Sequence, residues 1–366
     1  MTTLTLRALN RATLARQLLL RRSPLAPLAA IEQLAGLQAQ VARPPFVGLW
    51  SRLESFAREE LVTLLVTKKV VRATLLRGTL HLCSARDFLA HRGALQPMLA
   101  KGAATVLGDR AAGIELPKLL AKARALLEAG PATFDDLRDR LVEAFPGWND
   151  RAMGYLTRCH LPLVQVPEEG EPWAFPQAAR FGLADAWLGK PCAPEQLPDA
   201  LVLRYLAAFG PATPADAQAW SGLHGLREVF ERLRPKLVTF RDEGKRELFD
   251  LPGAPRPDEN TPAPARFVAD FDNLVLAHAD RRRVLADAHR GSVVTKNLLV
   301  RATVLVDGVV AGIWKVERKK AMATLVIEAF VKLAKKDRAA LEEEGERLLR
   351  FVEPDAGSCA VMIREM

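Results

Sequence analysis

Apolar residues in the first hundred positions recur at helical spacing and then give way to two short β-rich runs. Leu61, Leu64 and Leu65 form an apolar stripe of the kind a helix buries. In chain order, the expected elements are a helix through residue 20, an apolar segment over 27–40, a helix over 57–68, and strands over 70–75 and 79–82 joined at Arg77-Gly78. Three helices followed by a hairpin is the order of a winged helix.

An internal repeat occupies the middle of the chain. Gly130-Pro131-Ala132-Thr133 recurs as Gly210-Pro211-Ala212-Thr213, and in each copy the threonine can cap the next helix. Third helices are expected over 151–160 and 226–234, each followed by a hairpin that turns at a Glu-Gly pair. Together with the first hundred residues, the two copies predict three winged-helix units in tandem.

The last third of the chain changes to β-type patterning after a proline-rich stretch. Five prolines fall within residues 251–265, which indicates a linker or an extended crossing segment. Beyond it, two apolar runs meet at Asp307-Gly308, a typical hairpin turn. We therefore predict an α+β fold with a small β-rich C-terminal domain. The predicted boundaries are 1–100, 101–185 and 186–251 for the three units, 252–265 for the linker, and 266–366 for the last domain.

Composition narrows the class of protein. The 366 residues are 49% hydrophobic and carry a net charge of +9, and no apolar run approaches the roughly 18 residues that a membrane span needs. A basic surplus favours a polyanionic partner, most simply nucleic acid. Widely separated cysteines without a Cys-x-x-Cys pair predict reduced thiols in a cytoplasmic, nucleoid-associated protein. Because the six histidines are also scattered, we expect no metal site and no cofactor.

Two glutamines two residues apart, Gln38 and Gln40, stand at the edge of an apolar run. In extended backbone the side chains at i and i+2 point to the same side, so the two amides can converge on a small target such as water. On a helix they would lie about 200° apart. Pro44-Pro45 stops a helix from continuing far past Gln40. From spacing alone, two polar residues at a helix C-terminus remain an open alternative.

Three motifs carry a resemblance to a known family. They are Gly36-Leu37-Gln38-Ala39-Gln40, Arg77-Gly78-Thr79-Leu80-His81-Leu82 and the run over 271–281 that begins Phe271-Asp272-Asn273. With this layout, the chain resembles the AlkZ-like and YcaQ-like winged-helix DNA glycosylases. The resemblance implies a barrel-like C-terminal domain and a concave basic channel for duplex DNA. Glutamine at the second motif position places the chain with the AlkZ branch rather than with the Gln-x-Asp branch.

The resemblance implies that Gln38 and Gln40 hold the water that attacks the sugar C1′. Guanine alkylated at N7 is already cationic and leaves without protonation, so neutral amides suffice for such adducts and not for neutral lesions. We therefore expect a monofunctional glycosylase that acts as a monomer on double-stranded DNA containing alkylated purines, bulky or crosslinked. Candidate DNA contacts share positive charge or a place on the predicted wing: Arg43, Arg77, His81, Arg281, Arg282, Lys315, Arg318 and Lys319.

Other interpretations stay open at the sequence level. Three winged helices and the basic surplus also suit a non-catalytic regulator or nucleoid-associated protein, and a third hypothesis is a resistance protein that sequesters a DNA-alkylating drug. The arginine run at 281–283 and the wing residues can equally be solvated surface. His278 and Asp280 are expected to form a buried structural hydrogen bond rather than a catalytic pair.

Overall fold

The computed structural model of the protein describes residues 2–194, 197–297 and 299–365. Helices and strands are mixed along the whole chain, which confirms the α+β class. The N-terminal elements are β1 (Thr3–Leu4), α1 (Leu6–Arg16), α2 (Pro27–Gln33), β2 (Leu37–Gln38), α3 (Pro44–Arg52), α4 (Arg58–Val66), β3 (Val70–Thr74), β4 (Leu80–Ser84), α5 (Ala85–His91) and α6 (Gln96–Leu107).

The predicted helices and hairpin of this region are present, with two differences. Helix α1 ends at Arg16 instead of residue 20, because Gln17 caps it and Leu18 adopts a left-handed conformation with φ 57°. Helix α3 was not predicted. It begins at the two prolines that were expected to stop a helix, since proline is well tolerated in a first helical turn.

The repeat in the middle of the chain has the expected order of helices and strands. It comprises α7 (Leu116–Glu128), α8 (Phe134–Ala144), α9 (Asp150–His160), β5 (Leu163–Gln165), β6 (Phe181–Leu183), α10 (Ala184–Leu188), α11 (Asp199–Phe209), α12 (Pro214–Ser221), α13 (Leu226–Leu233), β7 (Val238–Asp242) and β8 (Glu247–Asp250). Thr133 and Thr213 cap α8 and α12, each accepting a backbone N–H at 3.1 Å, as predicted. The connection between β5 and β6 is longer than a tight turn at Glu169-Gly170.

Strands from different predicted units pair with one another. β2, β4, β3, β5 and β6 form one five-stranded sheet, in which Arg72 of β3 lies opposite Gln165 of β5. β1 joins β7 and β8 in a second sheet. The hairpins of the first two units therefore share a continuous sheet. The division into three winged-helix units and its boundaries stay predictions.

The C-terminal region is an open sheet covered by a helix. After the proline-rich stretch come β9 (Arg266–Val268), α14 (Arg290–Val293), β10 (Thr303–Val306), β11 (Val309–Lys319), β12 (Met322–Ala329), α15 (Lys335–Val352) and β13 (Ser358–Glu365). The strand order is β13-β12-β11-β10-β9. The expected barrel-like form is wrong, because β9 and β13 remain the two edges of the sheet and α15 packs against β9, β12 and β13.

Buried ion pairs connect the first helices to distant parts of the chain. Arg16 binds Asp250 through two hydrogen bonds of 2.7 and 2.8 Å, and Arg52 of α3 binds Asp272 through two of 2.9 Å. The four cysteines are free thiols, as predicted. No helix in the described part of the chain combines the length and apolarity needed to cross a lipid bilayer.

Candidate active site

Gln38 lies in β2 at the edge of the first five-stranded sheet, and Gln40 lies in a bend two residues further on. Helix α2 ends at Gln33, and Ala35 and Gly36 both adopt positive φ, which turns the chain into β2. A Cβ on Gly36 would lie 3.1 Å from the carbonyl oxygen of Leu82, so the close approach to β4 requires glycine. The extended alternative therefore holds for Gln38, and neither glutamine lies in a helix.

Gln38 is held from the turn between β3 and β4. Its side chain is 7% exposed, and Oε1 accepts a hydrogen bond of 2.6 Å from Arg77 Nη2. The strand register places Gln38 opposite His81, so the two side chains share a face of the sheet. No other described residue hydrogen-bonds to the Gln38 amide.

Gln40 is exposed and folds back onto the same hairpin. Its Oε1 accepts the backbone N–H of Leu80 at 3.3 Å, in place of a backbone carbonyl. Arg72 fixes the backbone of the motif, because its guanidinium donates to the carbonyl oxygens of Ala39 at 2.8 Å and Gln40 at 3.2 Å. Burial lowers the pKa of Arg72 to about 10. Sequence reasoning missed Arg72, although a charged residue inside a buried strand was a signal.

Arg77 joins three distant segments around the amide pair. It adopts a left-handed conformation with φ 54°, and Nη2 donates to both Gln38 Oε1 and Asn273 Oδ1, the latter at 3.0 Å. Nη1 donates to the carbonyl oxygen of Trp220, at the end of α12. Burial, and to a lesser degree the charge of Arg281, lower the pKa of Arg77 to about 10, so it stays protonated at neutral pH. The arginine expected on an exposed wing is instead a partly buried cation.

His81 is enclosed by the same arrangement, with 1% of its surface exposed. Its predicted place on an exposed wing is therefore wrong, because β4 is an inner strand that β2 and β3 cover on both edges. Nδ1 lies 3.1 Å from the carbonyl oxygen of Thr79, which can only accept, so Nδ1 carries the proton. Nε2 is then a buried acceptor to which no described residue donates. Burial and Arg77 lower the pKa of His81 to about 3.

This buried histidine makes the fold sensitive to acid. The unfolded chain takes up a proton near pH 6.5 and the folded chain only near pH 3, so the contribution of His81 is complete above pH 6.5 and falls as the pH drops below it. We expect His81→Leu to reduce the loss of unfolding free energy between pH 7 and pH 5 by about 2 kcal/mol, from roughly 1.4 kcal/mol per pH unit. Urea unfolding at both pH values measures it. At pH 8 the same comparison isolates the packing change, and an unchanged pH dependence would contradict a neutral buried His81.

The loop after β9 supplies the other side of the site. Asp272 is paired with Arg52, and the next residue, Asn273, contacts Arg77. Asp270 accepts the backbone N–H of Ala302 at 3.2 Å, and burial raises the pKa of its carboxyl. Asn273 lies within a motif quoted above, but its contact with Arg77 spans 196 residues and has no signal in the sequence.

The expected hydrogen bond between His278 and Asp280 is not formed. His278 is buried, as predicted, but its Nε2 lies 3.1 Å from the carbonyl oxygen of Phe209. Asp280 binds Arg246 at 2.8 Å and Arg282 at 2.7 Å instead. Burial and a hydrogen bond to the backbone fit the structural role expected of His278. The Asp280 carboxylate instead forms ion pairs with two arginines.

The remaining candidate DNA contacts divide between two places. Arg281 and Arg282 follow the loop that contains Asn273, whereas the others lie at the start of α3 or on the β11–β12 hairpin: Arg43, Lys315, Arg318 and Lys319. Lys315 is paired with Glu317 at 2.8 Å and Arg318 with Glu353 at 2.6 Å, all with substantial exposure of the basic partner. Within the described residues no cluster of potential metal ligands is present.

Comparisons with known proteins agree with this layout. The chain is 25% identical over 346 residues to the interstrand DNA cross-link repair glycosylase of Streptomyces sahachiroi, with 87% of this chain and 89% of that protein covered. It matches the solved structure of the Streptomyces sahachiroi DNA glycosylase AlkZ with a TM-score of 0.79 and 22% identity over all of both chains, which shows a common fold. A family model described as DNA glycosylase AlkZ-like matches residues 31–351. The chain therefore belongs to the AlkZ-like DNA glycosylase family.

Proposed function

We propose that this protein is a monofunctional DNA glycosylase that excises cationic N7-alkylpurines by directing water onto the sugar C1′. The observation that carries the proposal is the pair of amides, both outside any helix, whose oxygens are anchored on one hairpin by Arg77 and by the Leu80 N–H. The relative from Streptomyces sahachiroi is named as a cross-link repair glycosylase, which supports bulky and crosslinked adducts as substrates.

The chemistry requires orientation more than proton transfer. A base alkylated at N7 already carries a positive charge, so it departs without an acid, and the transition state resembles an oxocarbenium ion. A water attacks C1′ with a lone pair, so its hydrogens must point to acceptors. Each amide oxygen has two lone pairs and uses one, which leaves one for a water hydrogen on Gln38 and one on Gln40.

The two amides divide this work unequally. Arg77 donates a charged hydrogen bond to Gln38 Oε1 and withdraws electron density from that oxygen. Gln40 Oε1 accepts only a neutral N–H at 3.3 Å, which leaves it the stronger acceptor for water. We therefore assign Gln40 to the water and Gln38 mainly to the positioning of the pair, with Arg72 and Arg77 as the supports of both.

The surroundings restrict the substrate to cationic adducts. Arg77, with a pKa of about 10, keeps its proton, and His81, with a pKa of about 3, is neutral, so neither is an effective general acid near pH 7. A neutral base such as uracil needs protonation or strong hydrogen bonding in order to leave. No lysine in the described chain hydrogen-bonds to either amide, so no amine is placed to form a Schiff base. We infer simple hydrolysis that leaves an abasic site.

The basic residues of α3 and of the β11–β12 hairpin are assigned to the DNA backbone. Lys315 and Arg318 form ion pairs that are largely exposed, and such pairs contribute little to stability. A phosphate can therefore take the place of Glu317 or Glu353. Lys319 lies at the exposed end of β11, and Arg43 precedes α3. Contacts of this kind give affinity and salt dependence rather than sequence preference.

The test is base release from defined duplexes. We expect 7-methylguanine to be released from DNA, uracil to be retained, and the product strand to stay intact until alkali cleaves the abasic site. Chromatography of the free base and denaturing gels before and after alkali measure the three results. Binding that ignores the lesion, with no released base, would favour the non-catalytic alternative. Strand cleavage without alkali would contradict the monofunctional assignment.

A further inference from the structure

Arg77, which contacts Gln38, and the neighbouring Arg281 have no carboxylate partner in the described chain. The charge of Arg281 lowers the pKa of Arg77, and that of Arg290 lowers the pKa of Arg281 after the larger effect of burial. Asp272, the neighbour of Asn273 in the chain, is already paired with Arg52 at 2.9 Å. Asp280 is likewise shared by two other arginines, Arg246 and Arg282. The site is therefore a local excess of positive charge.

Buried hydrogen-bond donors accompany this charge. Arg281 Nε and Nη1 and Asn273 Nδ2 are enclosed, and no described atom accepts a hydrogen bond from any of them. Asn273 is 3% exposed, and its Oδ1 is occupied by Arg77, which leaves Nδ2 as the free end of the amide. Buried donors without an acceptor are costly, and so are partly buried cations without a counter-charge. All three unsatisfied atoms are donors, so the missing partner is an acceptor.

An anion with several oxygens satisfies both deficits at once, whereas water offsets no charge. We propose that Arg281, Asn273 and Arg77 bind one phosphodiester of the damaged strand, next to the nucleotide whose base is removed. The assignment rests on the proposed function, because that function brings a phosphodiester to Gln38. Guanidinium groups bind phosphate oxygens with strong charge-assisted hydrogen bonds.

The subsite also resolves a conflict in the electrostatics of the reaction. Arg77 donates to Gln38 at 2.6 Å, so a full positive charge lies where a cationic base and an oxocarbenium-like sugar must be accommodated. Like charges at such separations repel strongly in a partly buried site. A bound phosphodiester cancels this repulsion. The protein should therefore act on 7-methylguanine within a strand and not on the free nucleoside 7-methylguanosine.

Neutral methylphosphonate linkages test the proposal with the wild-type protein. Duplexes carry 7-methylguanine and one methylphosphonate, moved one linkage at a time through three positions on each side of the lesion. We expect one position adjacent to the lesion to slow base release about tenfold to a hundredfold, from the loss of charged hydrogen bonds. The other positions should lose much less. Tolerance of the methylphosphonate at every position would overturn the proposal.

A variant of Arg281 tests whether this residue causes the slower base release from the sensitive methylphosphonate duplex. Arg281→Gln should lose about the same factor on ordinary duplex and nothing further on the sensitive methylphosphonate duplex, and its salt dependence of binding should fall by about 0.9 per lost contact. The matched control is Arg338→Gln, because Arg338 is partly exposed on α15, far along the chain from Arg281, and paired with Glu365 at 3.0 Å. The Arg338→Gln variant should release the base as slowly from the sensitive methylphosphonate duplex, relative to ordinary duplex, as the wild type does. An undiminished penalty in Arg281→Gln would remove Arg281 from the subsite.

Two further arms separate the possible failures. In the first arm, inorganic phosphate is added at matched ionic strength. If it inhibits the wild type but not Arg281→Gln, and every methylphosphonate is tolerated, the ligand is free phosphate and the assignment to DNA is overturned. Absence of base release from ordinary 7-methylguanine duplex would instead reject the glycosylase function itself. Release from ordinary duplex that is lost at one methylphosphonate position supports both.

Discussion

Replacing Gln40 with alanine is expected to slow the release of 7-methylguanine from duplex DNA about a hundredfold to a thousandfold. The reason is the loss of the acceptor that orients the attacking water, since positioning contributes several orders of magnitude to such reactions. Gln40 is exposed and its side chain makes one hydrogen bond, to the Leu80 N–H at 3.3 Å, so the fold should tolerate the change. Single-turnover release of the base, measured alongside duplex affinity, separates the chemical step from binding.

Gln38→Ala should also slow release strongly, but for a different reason. The substitution frees Arg77 Nη2 and leaves its charge without the amide that orders it. Because the two glutamines act as a unit, the double variant should be little slower than Gln40→Ala alone. Gln177→Ala is the control, since it truncates an exposed amide outside the site. Full activity of both single variants would remove the pair from the mechanism.

Local signals in the sequence, the spacing of the two glutamines and the prolines that follow them, predicted extended backbone for the amide pair as one of two alternatives. The structure places Gln38 in β2, between Gly36 at positive φ and the helix that begins at Pro44. The threonine caps of the repeat and the hairpin at Asp307-Gly308 were predicted for the same reason, because each depends on neighbours within a few residues. Such features follow from the chemistry of one short segment.

The surroundings of the pair could not be predicted, because they come from distant residues. Arg77 resembles an exposed wing residue until Trp220 and Asn273, 143 and 196 positions away, accept its hydrogen bonds. His81 was likewise expected to be exposed, because the sequence does not show that β2 and β3 flank its strand. His278 was assigned to Asp280 on the basis of proximity in sequence, yet its partner is the carbonyl oxygen of Phe209. Closure of the C-terminal sheet also depends on which edges meet, and no single strand encodes that.

Asp272→Asn is expected to lower the free energy of unfolding by about 3–5 kcal/mol, the largest stability effect among the predictions. The Asp272 and Arg52 side chains are 2% and 0% exposed and form two hydrogen bonds of 2.9 Å. An asparagine of the same shape keeps the packing but leaves Arg52 charged, buried and unpaired. Asp272 also accepts the Leu274 N–H at 2.9 Å, an interaction that the asparagine oxygen can keep, so the loss reports the unpaired charge. Urea unfolding with an unchanged slope measures the shift.

Two comparisons show that the loss comes from the unpaired charge. Glu317→Gln removes the same charge from an exposed pair with Lys315 and should change stability by less than about 1 kcal/mol. Replacing both buried partners, as Arg52→Met with Asp272→Leu, should recover much of the loss, because no charge is then left buried. A double variant as unstable as Asp272→Asn would mean that the geometry of the pair, and not its charge, holds α3 against the loop. Even with stability restored, we expect slower base release, because the loop that brings Asn273 to Arg77 has lost its anchor.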